Sequence, residues 1–395
     1  MKTGCTRGLF QRTLYGFCLL MALAAQADWE GYPPLQNRYK EHEFLAACRE
    51  GNCPAVQFYL ENDGFNCNEE HNSGLMHKPV TGLYIASQEG HTEAVRSLIA
   101  AGADLDRSAL GGTTSLYIAS QNGHAQVARM LIAAGADIDC SCSNGATSLS
   151  IASRKGHTKV VSTLIAAGAD IDRGCNDGAT PLLIASYKGY TEAVSTLIAA
   201  GADIDRCCSE GATPLFVASQ NGHTKIVKNL IAAGADIDRS WRARVTPLSI
   251  ASQQGHTKVV STLVAAGADV DRSCPEGATS LFMASRKGHA EVVRILVEAG
   301  ANPSIEWRVS GPLCLAVDRS APLDQAKFWK WFTLPGSAKR GAYNEIISML
   351  SQAHSHSLPP EKNDTDHQTG APHLLSTLSR LSLSGKPSYR RTQAL

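Results

Sequence analysis

The chain predicts an all-α solenoid of helix-turn-helix units joined by loop or β-turn fingers. Three observations predict it. Gly90, Gly123, Gly156, Gly189, Gly222, Gly255 and Gly288 recur every 33 residues, and a second series from Gly102 to Gly300 keeps the same step. Between the two series, apolar residues recur at three and four residues, as on one helical face. The helical stretches are too short to be stable alone, because nucleation costs more than a few backbone hydrogen bonds return. Stacked on like neighbours they bury a continuous apolar seam.

The grammar of one unit shows why each element forms. Thr180 is a good N-cap and Pro181 suits the first helical position. Leu182, Ile184 and Ala185 give a short first helix its apolar side, and Gly189 ends it in a left-handed turn. A second helix begins near Thr191, with Val194, Leu197 and Ile198 on one face, and Gly201 ends it. Asp203, Ile204 and Asp205 lead into a polar turn that closes at Gly211, before Thr213-Pro214 opens the next unit.

Residues 1–27 read as a secretory signal. Lys2, Arg7 and Arg12 form a basic region, residues 14–25 are apolar, and Ala25-Gln26-Ala27 is a cleavage site before Asp28. The apolar run falls short of the ~20 residues that a membrane span needs, so no span is expected once the signal is removed. Residues 28–42 read as a linker and residues 43–354 as the array. The array opens on a degenerate unit over residues 44–68, and its six full units over residues 107–304 carry no insertion. In the C-terminal cap, residues 312–316 read as a first helix and residues 344–350 as a second. Phe328, Trp329, Trp331 and Phe332 lie in an insertion between them. Residues 355–395, rich in Ser, Pro, His, Thr and Lys, read as a disordered tail.

Gly-Ala-Thr-Pro-Leu, Gly-His-Thr and Ala-Gly-Ala-Asp at a period of 33 residues resemble the ankyrin repeat. The family usually carries a histidine after Thr-Pro-Leu. Here Tyr84, Tyr117, Ser150, Leu183, Phe216, Ser249 and Phe282 stand there, so an apolar contact is expected at several units in place of a hydrogen bond. The resemblance implies a non-enzymatic protein-binding module whose loop tips and first helices form a concave face.

Composition and motifs agree with a binding role. A net charge of +1 gives no global field toward nucleic acid. No phosphate loop, dinucleotide fingerprint, nucleophile elbow or zinc-protease pair occurs. His91, His124, His157, His223, His256 and His289 recur once per unit. Equivalent residues in neighbouring units stand roughly 8–10 Å apart, whereas zinc ligands lie about 2 Å from the metal. The ladder therefore reads as structural, and neither a metal nor a cofactor is expected. Of the 12 cysteines, Cys142, Cys175, Cys208 and Cys274 share one place in their units. They read either as free thiols or as bridged in an oxidising compartment, with Cys175–Cys207 the offset pair to test.

Binding residues are expected where the units differ. Trp241, Arg242 and Arg244 depart most from the other loop tips, and Trp307 with Arg308 echoes them. Trp and Arg are common interface anchors. Before the glycine of each Gly-His element stand Arg154-Lys155, Tyr187-Lys188 and Arg286-Lys287, with neutral or acidic pairs in other units. These cations predict a partner with an acidic surface. Beside them runs a row of Arg107, Arg173, Arg206, Arg239 and Arg272, which either faces the partner or pairs with the aspartate next to each. Two destinations stay open: secretion or export, or a cytoplasmic scaffold if the N-terminal segment is not cleaved.

Overall fold

The computed structural model describes residues 35–61, 65–69, 71–72, 79–109, 111–274, 277–305, 307–308, 319–331 and 337–357. The chain divides into two units, Met1–His354 and Ser355–Leu395. The signal segment, residues 312–316 of the cap and nearly all of the tail lie outside the described residues. No described helix is long and apolar enough to cross a membrane.

Seven helix pairs follow one another, from Gly82–Glu89 with Thr92–Ala100 to Ser280–Lys287 with Ala290–Glu298. The first, inner helix of each pair is capped by a threonine. Thr180 Oγ1 accepts the Leu183 N–H at 3.2 Å, and the same bond recurs at Thr81, Thr114, Thr147, Thr213, Thr246 and Thr279. Each such cap contributes about 1 kcal/mol. Two leucine columns fill the seam. Leu182 and its inner-helix counterparts are at most 1% exposed, and Leu197 and its outer-helix counterparts are fully buried. Each contributes about 1.5–3 kcal/mol by leaving water.

The units are locked by the histidine ladder. At Gly189 the backbone is left-handed, with φ 86°. The His223 ring lies where a side chain would be: a Cβ on Gly189 would stand 2.6 Å from its Cε1. His223 Nε2 donates to the Tyr187 carbonyl at 3.1 Å. The same bond joins His91, His124, His157, His256 and His289 to the preceding unit. One histidine thus both fills a space that only glycine leaves open and satisfies a carbonyl at a helix end. Tyr190 packs its ring on Gly156 in the same way, but makes no such bond among the described residues.

The ends differ from the expectations. The first helix spans Leu35–Glu50, so it begins inside the stretch read as a linker. Phe44, Cys48 and Val56 on this helix and its partner Cys53–Leu60 are fully buried, closing the N-terminal end of the seam. At the other end the helix stacked on Ser280–Lys287 is Pro322–Trp331, which lies in the segment read as an insertion. The side chains of Phe328, Trp329 and Trp331 fall outside the described residues, as does Phe332. The expected second cap helix is present and longer, at Ala338–Ser357. It continues the ladder by other means: Tyr343 Oη donates to the Arg286 carbonyl at 3.0 Å, and its ring lies against Gly288.

A second column runs through the inner helices. Ser87, Ser120, Ser153, Ser186, Ser219, Ser252 and Ser285 are fully buried, and their hydroxyls find no partner among the described residues. An unpartnered buried hydroxyl is unfavourable, and alanine is the better helix former. Ser186→Ala is therefore expected to raise stability by about 1 kcal/mol in a denaturant titration. A loss of comparable size would mean that the hydroxyl is bonded.

Burial holds the His289 imidazole below its ordinary proton affinity, and Lys287 and His256 add to the effect, while the bond to Gln253 opposes them. The unfolded chain then binds the extra proton more readily, so the stability that His289 lends falls as pH drops through the ordinary histidine range. The difference in melting temperature between the parent chain and His289→Asn is expected to shrink from about pH 8 to about pH 5. A constant difference would exclude the linkage.

Candidate partner-binding site

The fingers between units are short antiparallel turns. Cys175 N–H donates to Ala179 O at 3.0 Å, and Cys142, Cys208, Trp241 and Cys274 make the equivalent bond. Neighbouring fingers touch through one backbone bond each: Ser143 to Gly111 at 2.8 Å, Asn176 to Asn144 at 3.0 Å and Ser209 to Asp177 at 2.8 Å. Behind the fingers lies a second apolar cluster that includes Tyr117, Ile151, Cys175, Leu183, Phe216 and Ile250. Several of these occupy the place of the family's usual histidine, so the expected apolar contact is present. The serines there act locally. Ser249 completes a capping box with Thr246, and the Ser150 hydroxyl lies 3.2 Å from that of Thr147.

Cys142 and Cys175 belong to this cluster, and Cys208 packs against it. Cys175 and Cys207 are free thiols, so the offset pair is not bridged. Burial pushes the Cys175 thiol up, and at the N-terminal end burial beside Cys53 and Cys67 pushes Cys48 up to about 12. Both therefore stay protonated and weakly reactive near neutral pH. Among the described residues no three His, Cys, Asp or Glu side chains converge on one point.

The Trp241 finger departs from the others. The sequence gives Trp241 no core to join, but the structure does: its ring packs on Phe216, with centroids 5.1 Å apart, and it is half-buried at the edge of the second cluster. The tilted aromatic contact forms because an aromatic ring, Phe216, stands in the preceding unit where the Trp241 ring reaches. Arg242 is exposed and pairs with Glu210 of the preceding finger at 3.3 Å. Arg244 is exposed with φ 57°, the one described non-glycine residue with a positive φ. In the fingers on either side that position is glycine, Gly211 at φ 88° and Gly277 at φ 89°.

The helix-end cations lie along one edge of the inner helices. Lys155, Lys188, Arg286 and Lys287 are exposed and Arg154 is half-buried. Burial raises the proton affinity of both Tyr117 and Cys175, and the charge of the Arg154 guanidinium partly opposes it. Tyr187 is 38% exposed, and the Lys188 ammonium stands 5.3 Å from its ring centroid. Trp307 lies on a two-residue strand, Trp307–Arg308, paired with Arg319–Ser320, and its side chain falls outside the described residues.

From Arg173 onward, the arginine row does not form the expected pairs with the adjacent aspartates among the described residues. Arg173, Arg206, Arg239 and Arg272 form no ion pair among the described residues. The neighbouring aspartates are engaged elsewhere. Asp172 accepts the Asp203 N–H at 3.1 Å, Asp205 the Asp236 N–H at 3.1 Å and Asp238 the Asp269 N–H at 3.2 Å. A carboxylate held by backbone amides of the next unit is a stronger arrangement than an exposed ion pair. The aspartates still stand beside the arginines, so this ridge carries both signs and gives no net attraction for an anion.

The family model for ankyrin repeats (3 copies) matches residues 44–142, 83–175, 134–206, 149–241 and 241–306. Among solved structures, the crystal structure of the human ASB11 ankyrin repeat domain is similar, with a TM-score of 0.50 and 25% sequence identity. The match covers 62% of this chain and 99% of that one. No curated protein matches in sequence.

Holding an arginine in the left-handed region costs roughly 1–2 kcal/mol relative to glycine. Arg244→Gly is accordingly expected to raise stability by about 1 kcal/mol. Unchanged or lowered stability in a denaturant titration would show that the Arg244 side chain repays the strain through contacts within the fold.

Proposed function

The chain belongs to the ankyrin-repeat family, and on that premise we propose that it is an exported, non-enzymatic module that recognises an acidic protein surface through its concave face. The array is a protein-binding scaffold, and what is specific to this chain lies where it departs from its own repeat. The observation that carries the reading is Arg244. Among the described fingers five place a positive-φ glycine at this position, Gly112, Gly145, Gly178, Gly211 and Gly277, and the sixth keeps an arginine there beside an exposed Arg242. Strain retained against an available glycine is a signature of a functional position. Trp241 anchors the finger on Phe216, so that the two arginines are presented from a fixed base. The helix-end cations Arg154, Lys155, Lys188, Arg286 and Lys287, with Tyr187 among them, extend the surface along the array. The basic and apolar N-terminal segment, followed by Ala25-Gln26-Ala27, supports export.

The test is a pull-down with the chain from Asp28 to Leu395 beside an Arg242→Ala/Arg244→Gly variant, which leaves Trp241 in place. The variant is expected to retain at least about tenfold less of the captured partner, since truncating a hot-spot arginine costs about 2 kcal/mol or more. Equal retention by both forms would remove this finger from the site. Export is tested by the N-terminus of the mature protein: a start at Asp28 supports it, and an intact Met1 retained in the cell supports the cytoplasmic scaffold.

A further inference from the structure

The cations at the inner-helix ends are not evenly spread. Arg154, Lys155 and Lys188 sit on two adjacent helices, Ser148–Lys155 and Pro181–Lys188. The next two helices, Pro214–Gln220 and Pro247–Gln254, carry no charge at the matching places, which hold Gln220, Asn221, Gln253 and Gln254. Lys287 then restores the charge on Ser280–Lys287, again exposed to solvent. Cations in a last helical turn are favourable toward the helix dipole. The two middle helices form without them, so the fold does not require them.

The amides between the two clusters are available. Asn221 bonds to the Tyr187 and Val217 carbonyls and is structural. The side-chain amides of Gln220, Gln253 and Gln254 form no hydrogen bond among the described residues. Each offers a donor and an acceptor, as a peptide group does. Cation, amide, amide, cation is the pattern of a surface that holds two charges and the extended backbone joining them.

Resting on the protein-binding reading above, we infer that this edge is a two-point clamp for an extended polypeptide carrying two acidic clusters. The spacing follows from the stack. Three to four helix steps of ~8–10 Å separate the cation clusters, a span of roughly 24–40 Å. An extended chain covers 3.3–3.6 Å per residue, so the acidic clusters stand about 7–12 residues apart. A nucleic acid strand carries phosphate at every nucleotide and would favour an unbroken cationic row, which the two neutral helices interrupt.

The probes are synthetic peptides with two Glu-Asp-Glu clusters joined by neutral Gly-Ser linkers of about 4 or about 10 residues, and a single-cluster peptide. Binding to the full chain is read by fluorescence anisotropy. The peptide with the linker of about 10 residues is expected to bind at least about tenfold tighter than the other two, because a linker that spans both points makes the second contact intramolecular. Lys155→Gln/Lys188→Gln, or Lys287→Gln alone, should reduce that peptide to single-cluster affinity while the chain keeps a cooperative melting transition, lowered only slightly by the lost helix-dipole contacts. Equal affinity for all three peptides, abolished by Lys155→Gln/Lys188→Gln, would leave the acidic-partner reading standing and overturn the clamp. No binding of any peptide would overturn both. Single-stranded DNA binding as tightly as the matched peptide would overturn the clamp in favour of a polyanion site.

Discussion

The contact on which the array depends is the seating of one imidazole on the left-handed glycine of the unit before it. The glycine ends an inner helix, its missing side chain makes room for the ring, and the ring's N–H satisfies a carbonyl at that helix end. Three requirements meet in one pair of residues. Once that pair is set, the leucine columns on either side fall into register, and the next unit inherits the same geometry. The two tyrosines show what is essential. Tyr190 keeps the ring and loses the bond, and the stack continues through it. Tyr343 comes from a different kind of helix and rebuilds both ring contact and hydrogen bond, ending the array on the same junction that runs through it. Filling the space over the glycine is thus common to every junction, and the hydrogen bond is common to all but one.

A framework fixed this firmly can tolerate departures at its margins. The threonine caps and backbone finger bonds repeat with little change, and against that regularity the Trp241 finger is conspicuous. Its indole extends the apolar cluster through Phe216, its tip exchanges an inter-finger backbone bond for the Arg242–Glu210 pair, and Arg244 occupies a glycine conformation. These changes belong together.

Much of this was legible from spacing. The period of 33 residues, the threonine caps, the glycine stops and the apolar faces follow from local chemistry that each unit repeats. The strained Arg244 was also within reach, since it stands 33 residues after Gly211, where a positive φ is expected. Other features depend on contacts between units that spacing does not display. The aspartates could be read as partners of the adjacent arginines, but their carboxylates reach across to amides 31 residues on. Trp241 looked isolated because its partner Phe216 lies in the previous unit. The C-terminal cap left the frame altogether: the helix Pro322–Trp331 and Tyr343 do the work of a unit without its sequence pattern, because a terminal helix need match its neighbour on one side only.

Repetition also governs the electrostatics. In a globular fold, isolated charges scatter over the surface, and a net charge of +1 implies little directional field. In a stack, a residue type placed once per unit becomes a stripe. Here the aspartates form one stripe near the finger bases, anchored to backbone amides and accompanied by arginines, so that opposite signs offset each other along its length. The helix-end cations lie elsewhere, and among the described residues the matching places carry one acidic residue, Glu89, and no acidic stripe. They are also discontinuous, which a stripe produced by duplication alone would not be. Gln220, Asn221, Gln253 and Gln254 interrupt them while the helices beneath remain the same. The selectivity of this surface therefore resides in its order along the array, and a ligand that follows the stack meets charge, amide and charge in a fixed sequence and direction.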